Sequence, residues 1–191
     1  MSKRYAFVML TYRCIDCKAC QVACTAENHV PPGKHRNWIK REGPNGTFPN
    51  LTMNFLPGNC MHCGNPPCVR VCPTSASYQR EDGIVAIDQP RCIGCKYCIA
   101  ACPYGARYFD PERKVTDKCG FCLHRLEKGQ DPACVATCIG EARVYGDLND
   151  PDSRVSRLLR RYPYRQVLTN LGTEPAVYYI DARPEEGGGG L

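Results

Sequence analysis

The strongest constraint on this chain is a run of four cysteines from Cys92 to Cys102, followed by Pro103. The run has the spacing C-x2-C-x2-C-x3-C-P, in which the first three thiolates can surround one cubane iron–sulfur cluster. Gly94 lets the backbone pass close to such a core because glycine has no Cβ. The last cysteine lies about one helical turn, roughly 6 Å, beyond the third, so its thiolate points toward another cluster. The run therefore predicts iron–sulfur ligation and a partner run elsewhere in the chain.

Cysteine occurs 16 times in 191 residues, and all 16 cysteines fall into four runs that each end in C-x3-C. The spacings along the chain are x2-x2-x3, x2-x4-x3, x2-x2-x3 and x2-x11-x3. The predicted iron ligands are Cys14, Cys17, Cys20, Cys24, Cys60, Cys63, Cys68, Cys72, Cys92, Cys95, Cys98, Cys102, Cys119, Cys122, Cys134 and Cys138. Four tetrads with no cysteine left over predict four [4Fe-4S] clusters as cofactors.

Two other uses of so many cysteines fit the sequence less well. A disulfide framework would leave the closely spaced C-x2-C pairs without a purpose. Four zinc sites could use the same thiolates, and His62 beside Cys63 could supply an imidazole ligand. Cysteine completes every tetrad without that imidazole, however, and the interleaved spacing is typical of iron–sulfur proteins.

The charge balance argues against a nucleic-acid partner. The chain has 25 basic and 19 acidic residues, for a formal net charge of +6. A cubane with four thiolates carries roughly −2, so four of them would make the loaded protein slightly acidic. We therefore expect the basic surplus to offset cluster charge rather than to bind nucleic acid.

Neither a signal-peptide pattern nor a run of about 20 apolar residues is present, so we expect any membrane association or export to depend on partner subunits.

Short strands and helices are predicted around the runs, which indicates the α+β class. The segments before the first and third runs, 6–14 and 84–92, share a β-prone stretch, turn residues, an arginine and a first cysteine, which indicates an internal repeat. Trp38 is interpreted as a packing residue. Lys96 and Tyr97 are interpreted as solvent-facing spacers, with tuning of the neighbouring cluster as the alternative. The predicted strands are 5–10, 51–56, 83–88, 105–109, 144–148 and 176–180, and the predicted helices are 21–28, 123–128 and a segment capped by Asp152 or Ser153 that ends at Arg161.

The spacing between runs predicts two nested ferredoxin-like units, each with two clusters. Only residues 73–91 separate the second and third runs, so we expect these runs to form an inner unit, 58–112. The first and fourth runs are then left to form an outer unit, 1–30 plus 113–150. Residues 31–57 are rich in Pro and Gly, and we expect a loop-rich insertion there. Residues 151–191 are interpreted as a docking extension for a partner subunit, with a loose tail at 185–190.

Four runs with these spacings, over about residues 4–150, resemble the four-cluster electron-transfer subunit of molybdopterin oxidoreductases of the dimethyl sulfoxide reductase superfamily. The segments 62–68, 72–78 and 124–129 look closest to the polysulfide/thiosulfate reductase branch. In nitrate reductase relatives the position of Cys95 is not cysteine and that cluster lacks one iron. The cysteine found here implies a full cubane. Relatives often carry Cys-Pro where this chain has Cys138-Ile139, a departure that bears on local backbone and not on ligation.

The resemblance implies ligand sets that cross between runs. Cys14, Cys17, Cys20 and Cys138 would hold the cluster nearest the molybdenum subunit. Cys119, Cys122, Cys134 and Cys24 would hold the second cluster. Cys60, Cys63, Cys68 and Cys102 would hold the third, and Cys92, Cys95, Cys98 and Cys72 would hold the fourth, nearest the membrane subunit.

The resemblance also implies a function without catalysis of its own. The chain would relay electrons between a quinol-oxidising membrane anchor subunit and a molybdopterin catalytic subunit, in anaerobic respiration of the polysulfide or thiosulfate type. We expect no catalytic residue and no small-molecule substrate, because no nucleophile–base constellation or nucleotide motif is visible. A periplasmic location by co-export is implied, with the cytoplasmic face as the alternative. Rival interpretations are a free-standing polyferredoxin, a structural zinc protein and a cluster-assembly factor.

Overall fold

A computed structural model describes residues 2–181 of the chain, and the predicted tail at 185–190 lies outside these residues. The strands are β1 Tyr5–Leu10, β2 Asn37–Thr47, β3 Asn50–Asn59, β4 Ser77–Gln79, β5 Val85–Ile87, β6 Arg107–Asp110, β7 Val115–Lys118, β8 Arg143–Asp147 and β9 Val177–Ile180. The α-helices are α1 Ala19–Asn28, α2 Pro67–Arg70, α3 Tyr97–Ala100, α4 Leu123–Leu126, α5 Ala133–Ala136 and α6 Arg154–Arg161. This mixture of short helices and small sheets is consistent with the predicted α+β class.

Strand β1 is the centre of a three-stranded sheet and is buried along almost its whole length. It pairs with β8 antiparallel and with β9 parallel, so that Phe7 faces Tyr145 on one side and Val177 on the other. Alternate side chains of β1 enter two different cores because a strand has a period of two. On one face the Phe7 ring stacks on Phe121 at 4.2 Å between centroids. On the other face Val8 packs in a cluster that includes Val155 of α6. The sheet thus joins the strand before the first cysteine run to the strand after the fourth.

The remaining strands form three antiparallel hairpins. The hairpins β4–β5 and β6–β7 are short, and both lie within the segment that carries the second and third cysteine runs or directly after it. The two strands of the predicted repeat exist as β1 and β5, although β5 has only three residues. Strand β7 has no counterpart among the predicted strands, because its short polar sequence is stabilised by pairing with β6 rather than by its own pattern.

The insertion is a long hairpin rather than a set of loops. Strand β3 contains the predicted strand 51–56, but its partner β2 runs through Gly43 and Pro44, which the sequence suggested were turn residues. The pairing register shifts between Glu42 and Asn45, and this irregularity accommodates the breakers. Trp38 is partly buried at the base of the hairpin and packs against core residues, as predicted. A Cβ on Gly58 of β3 would lie 2.5 Å from the indole nitrogen of Trp38, so the indole covers this glycine.

Helix α6 begins and ends where the sequence predicted. Of the two predicted caps, Ser153 is the one used, because its Oγ accepts a hydrogen bond of 3.1 Å from the Ser156 N–H. The helix buries Val155 and Leu158 against the central sheet and exposes Arg157 on the opposite face. Within residues 2–181, no helix is long and apolar enough to cross a membrane.

Candidate iron–sulfur cluster sites

Three cavities are each lined by four cysteines that come from two different runs. In every case three cysteines of one run meet the last cysteine of another. The three sets are Cys14, Cys17, Cys20 with Cys138; Cys60, Cys63, Cys68 with Cys102; and Cys92, Cys95, Cys98 with Cys72.

The remaining four cysteines, Cys24, Cys119, Cys122 and Cys134, are all buried and close together. Burial raises the pKa of the Cys24 thiol, and the neighbouring thiolates of the other three raise it further. The Asn28 amide nitrogen lies 3.6 Å from the Cys24 sulfur and 3.8 Å from the Cys122 sulfur. Helix α1 carries Cys20 and Cys24 one turn apart, so that one sulfur lines the cavity of the Cys14 set and the other joins this fourth set.

The loops of the first and third runs have the same backbone. Asp16 and Gly94, each one residue before the second cysteine of its run, have φ values of 56° and 68°. Lys18 and Lys96, one residue after that cysteine, also have left-handed backbones, and a helix begins directly after each of them. The replacement of the glycine by Asp16 therefore leaves the loop unchanged, because aspartate tolerates the left-handed region better than most residues. The Asp16 carboxylate also pairs with Arg41 of β2 at 2.6 Å.

Hydrogen-bond donors approach several of the cysteine sulfurs. The N–H groups of Ser77 and Ala142 donate to Cys72 and Cys138 at 3.4 and 3.2 Å. The Thr116 hydroxyl lies 3.6 Å from Cys92 and 3.4 Å from Cys98. Donors of this kind stabilise thiolates and adjust the potential of a bound cluster.

The pKa values of several cysteines are shifted, in directions set by hydrogen bonding and burial. Partial burial raises the pKa of Cys72, but hydrogen bonds from Ser77 and Thr74 outweigh this effect and hold the pKa below its ordinary value. Burial instead raises the pKa of Cys119 to about 11 and that of Cys63 and Cys134 to about 12. Buried thiols of this kind become thiolates when a metal binds, because the metal displaces the proton.

His62 lies inside the protein and is not placed as a metal ligand. It is 1% exposed, and its Nδ1 accepts a hydrogen bond of 3.2 Å from the Val85 N–H. Burial holds the pKa of His62 well below its usual value, with the Lys118 and Arg107 charges adding to the effect. Among residues 2–181, no three His, Cys, Asp or Glu side chains converge on a point where one metal ion would sit, as a tetrahedral zinc site requires. The cysteines surround cavities instead.

Neighbouring cysteine sets lie beside one another in a fixed order. Cys20 of the first set and Cys134 of the second lie in one core cluster, which also contains Cys63, and their charges interact. Cys119 packs with Cys60, and Cys68 packs with Cys98. The sets thus form a linear series that begins at the Cys14 set and ends at the Cys92 set.

The donor chemistry fits cubane clusters. Each set supplies four sulfur ligands, which select iron–sulfur clusters or zinc over harder metal ions. Arg107 also lines the Cys60 cavity, and its buried Nη1 has no hydrogen-bond partner among residues 2–181. An anionic cluster in that cavity would satisfy the charge of this guanidinium, so these residues fit the group.

Sequence reasoning missed the polar residues around the cysteines. Three buried cations lie near the sulfurs, namely Arg107, Lys118 and Arg143. The buried Thr116 hydroxyl lies between the sulfurs of Cys92 and Cys98. The two spacers that the sequence singled out, Lys96 and Tyr97, are both exposed, as expected. Tyr97 is 63% exposed, and the Lys96 ammonium lies over the Phe109 ring at 4.3 Å. The sequence offered no signal that the three cations are buried, because a basic residue in a short strand is normally solvated.

Comparisons with known proteins identify iron–sulfur domains in this chain. Two family models described as "4Fe-4S dicluster domain" match residues 51–148 and 13–76. The chain is 43% identical over 194 residues to a polysulfide reductase chain of Wolinella succinogenes, covering 99% of this chain and 98% of the relative. It is 42% identical over 212 residues to a putative dimethyl sulfoxide reductase iron–sulfur subunit of Halobacterium salinarum (96% and 81% covered). It is 46% identical over 184 residues to a tetrathionate reductase subunit of Salmonella typhimurium (93% and 72% covered).

Proposed function

The chain belongs to the 4Fe-4S dicluster family of reductase iron–sulfur subunits in the dimethyl sulfoxide reductase superfamily, and from this premise we propose a specific electron-transfer role for it. It relays electrons through four [4Fe-4S] clusters from a quinol-oxidising membrane anchor subunit to a molybdopterin catalytic subunit. The complex serves anaerobic respiration of the polysulfide, thiosulfate or tetrathionate type. The chain performs no chemistry on a substrate itself. The bound clusters supply one-electron redox chemistry, and the protein positions them.

The observation that carries this proposal is the linear series of cysteine sets. Neighbouring sets lie close enough for their thiolates to interact, as Cys20 does with Cys134 and Cys119 does with Cys60. Clusters held by these sets would follow one another across the molecule without a gap. We assign the ligands as the resemblance implies: Cys14, Cys17, Cys20, Cys138; then Cys24, Cys119, Cys122, Cys134; then Cys60, Cys63, Cys68, Cys102; then Cys72, Cys92, Cys95, Cys98. The outer unit, 1–30 plus 113–150, would hold the first two clusters, and the inner unit, 58–112, the others.

The two ends of the series differ from its middle in exposure. Cys17 in the first set and Cys95 in the last are exposed, whereas the second set is buried throughout. Large apolar side chains lie exposed beside both ends, Ile15 near the first set and Ile93 near the last. Electrons would therefore enter and leave at the ends, where partner subunits cover these side chains. The first set would face the catalytic subunit and the last set the membrane subunit, on the periplasmic face of the membrane.

The test is the metal content and spectroscopy of the anaerobically purified chain. We expect about sixteen iron and sixteen acid-labile sulfide per chain, since each of four cubanes holds four of each. Electron paramagnetic resonance after reduction should show interacting reduced clusters. About four zinc and no sulfide per chain would contradict the proposal and show that the chain is a structural zinc protein.

The partner subunits are tested separately by purification from the native host. We expect the chain to copurify with a molybdopterin subunit and an integral membrane subunit. A chain that carries four clusters but purifies alone, and reduces soluble acceptors, would be a free-standing polyferredoxin instead.

A further inference from the structure

Three basic side chains are buried without a carboxylate partner. Lys118 and Arg143 are 2% exposed and Arg107 is 5% exposed, and no acidic side chain within residues 2–181 lies at ion-pair distance from any of them. Arg36, by contrast, is a shielded arginine that pairs with Asp117 at 2.7 Å. An isolated buried charge costs several kcal/mol unless another charge compensates it. The three cations therefore need negative charge from another source.

Arg143 lies between the first and second cysteine sets. It lines the cavity of the Cys14 set and hydrogen-bonds the carbonyls of Trp38 and Gly58 at 3.4 and 3.3 Å. Burial lowers its pKa, but the thiolates of Cys134 and Cys20 outweigh that effect and raise it. Cys134 belongs to the second set and Cys20 to the first, so this one guanidinium faces both.

Lys118 lies between the second and third sets. Its ammonium donates to the carbonyl oxygen of Cys119 at 2.7 Å and also to the carbonyl of Val85. Val85 lines the cavity of the Cys60 set and packs with Cys68, so the ammonium lies between a residue of the second set and the wall of the third. This lysine is thus placed near both sets, although it is no ligand of either.

Arg107 lies between the third and fourth sets. Its Nη2 donates to the Cys68 sulfur at 3.0 Å and to the Ser77 hydroxyl at 2.7 Å. Burial lowers the pKa of this arginine, but the thiolates of Cys68, Cys60 and Cys98 outweigh that effect and raise it. Cys98 belongs to the fourth set and packs directly on Cys68.

We propose that Arg143, Lys118 and Arg107 form a series of fixed cations, one at each of the three junctions between neighbouring clusters. Each cation raises the reduction potential of the two clusters beside it, because a nearby positive charge favours the more negative reduced state. An electron that left one bound cluster would enter the next across the junction, and the cation would be neither oxidised nor reduced. This inference rests on the ligand sets of the proposed function and adds residues that none of those sets contains.

A purely structural role is the competing explanation, since Arg143 ties the hairpin β2–β3 to β8 through hydrogen bonds. The two roles differ in what a substitution moves. Loss of packing would weaken folding and cluster retention in general. Loss of a junction charge would move two of the four midpoint potentials and leave the other two in place, because the interaction declines with distance.

The experiment is a mediated redox titration of the full-length chain with all clusters present, followed by electron paramagnetic resonance. The variants are Arg143→Met, Lys118→Met and Arg107→Met, which remove the charge but keep an unbranched side chain. Arg143→Lys, Lys118→Arg and Arg107→Lys keep the charge and serve as rescue variants. Arg157→Met removes an exposed charge on α6 and serves as the control. Iron and sulfide content is measured first, so that a failure of cluster binding is separated from a change in potential.

We expect each Met variant to lower two midpoint potentials by at least about 59 mV. This shift corresponds to a tenfold loss in the equilibrium constant for one-electron reduction. The pair moved by Arg107→Met should be the complement of the pair moved by Arg143→Met, and Lys118→Met should move one midpoint from each pair. Charge-keeping variants and the control should stay near the wild-type potentials.

Unchanged potentials, or an equal shift of all four, in variants with full iron content would overturn the inference and leave the proposed function intact. Met variants that lose clusters while their charge-keeping counterparts retain both clusters and potentials would agree with a need for the charge. Charge-keeping variants that fail in the same way as the Met variants would show a structural role and overturn it. Wild-type chain without iron and sulfide would instead overturn the proposed function.

Discussion

Single residues with left-handed backbones decide where the thiolates of the cysteine loops point. Gly94 and Asp16 occupy equivalent positions with φ values of 68° and 56°, but their surroundings differ. A Cβ on Gly94 would lie 2.6 Å from the Lys114 carbonyl oxygen, in the turn between β6 and β7. The third run therefore needs glycine for two reasons, the backbone angle and the close approach of another chain segment, whereas the first run holds an aspartate.

Substitution of Gly94 tests this distinction at the residue scale. Gly94→Ala should lower the stability of the loop and reduce iron content by about four per chain, the contents of one cubane. Gly105→Ala is the matched control, because Gly105 also has a positive φ of 61° but no atom within 4 Å of the Cβ position. The control variant should lose only about 1 kcal/mol of unfolding free energy through backbone strain, and its iron content should stay unchanged. Equal iron loss in both variants would contradict the role of the close approach. Iron content and the denaturant midpoint are the measurements.

At the scale of single elements, partners and caps decide where helices and strands begin and end. Helix α6 begins at Arg154 because the preceding serine side chain accepts the Ser156 N–H. Strand β2 continues through Gly43 and Pro44 because β3 pairs along it on both sides of the register shift. A cap is local in sequence and could be predicted. Pairing with β3 outweighed the local turn signals, so the prediction of loops where β2 forms was wrong.

Removal of the α6 cap should weaken folding without changing the cluster sites. We expect Ser153→Ala to cost about 1 kcal/mol of unfolding free energy, the usual cost of losing a serine cap. Asp152→Ala is the control, because the Asp152 side chain does not cap the helix and should change stability little. Denaturant unfolding measures both variants, and iron content should stay at the wild-type level in each. A larger loss for Asp152→Ala would show that the cap had been assigned to the wrong residue.

At the scale of the whole molecule, cysteines from distant runs line the same cavities. Strand β1 brings the start of the chain beside β8, and this pairing places Cys138 at the cavity that Cys14 lines. Helix α1 carries Cys24 away from that cavity and toward Cys119 and Cys122. The core of the molecule between these sets contains the Phe7–Phe121 stack. The fold therefore connects the sets more closely than the order of the runs along the chain suggests.

Double substitutions of cysteine test the shared sites through iron content. Cys24→Ala and Cys122→Ala should each remove one cluster, and the double variant should lose no more, leaving about twelve iron per chain. Cys24→Ala combined with Cys20→Ala should remove two clusters and leave about eight, although these cysteines belong to one run. Non-additive and additive losses of this kind identify residues in one site and in two sites. The reverse pattern would show that each run holds its own cluster.

Much of the local structure could be predicted because its causes are local. The strand at 5–10, the helix at the end of the first run and the Ser153 cap follow from neighbouring residues, and the packing of Trp38 follows from its residue type. Of the site, the sixteen cysteines and the number of clusters followed from spacing alone. Arg107 and Arg143 could not be predicted as buried, because a basic residue in a short strand is normally solvated.

The sequence alone determined the chemistry of this protein, since thiolates at intervals of three and four residues can ligate cubane clusters wherever they fold. The family resemblance implied the cross-run ligand sets and their order, and only the tertiary structure showed which buried charges lie between the sets. The physical reason is the range of the interactions. Ligand spacing acts over one helical turn, whereas the β1–β8 pairing and the burial of Arg143 join residues more than one hundred positions apart.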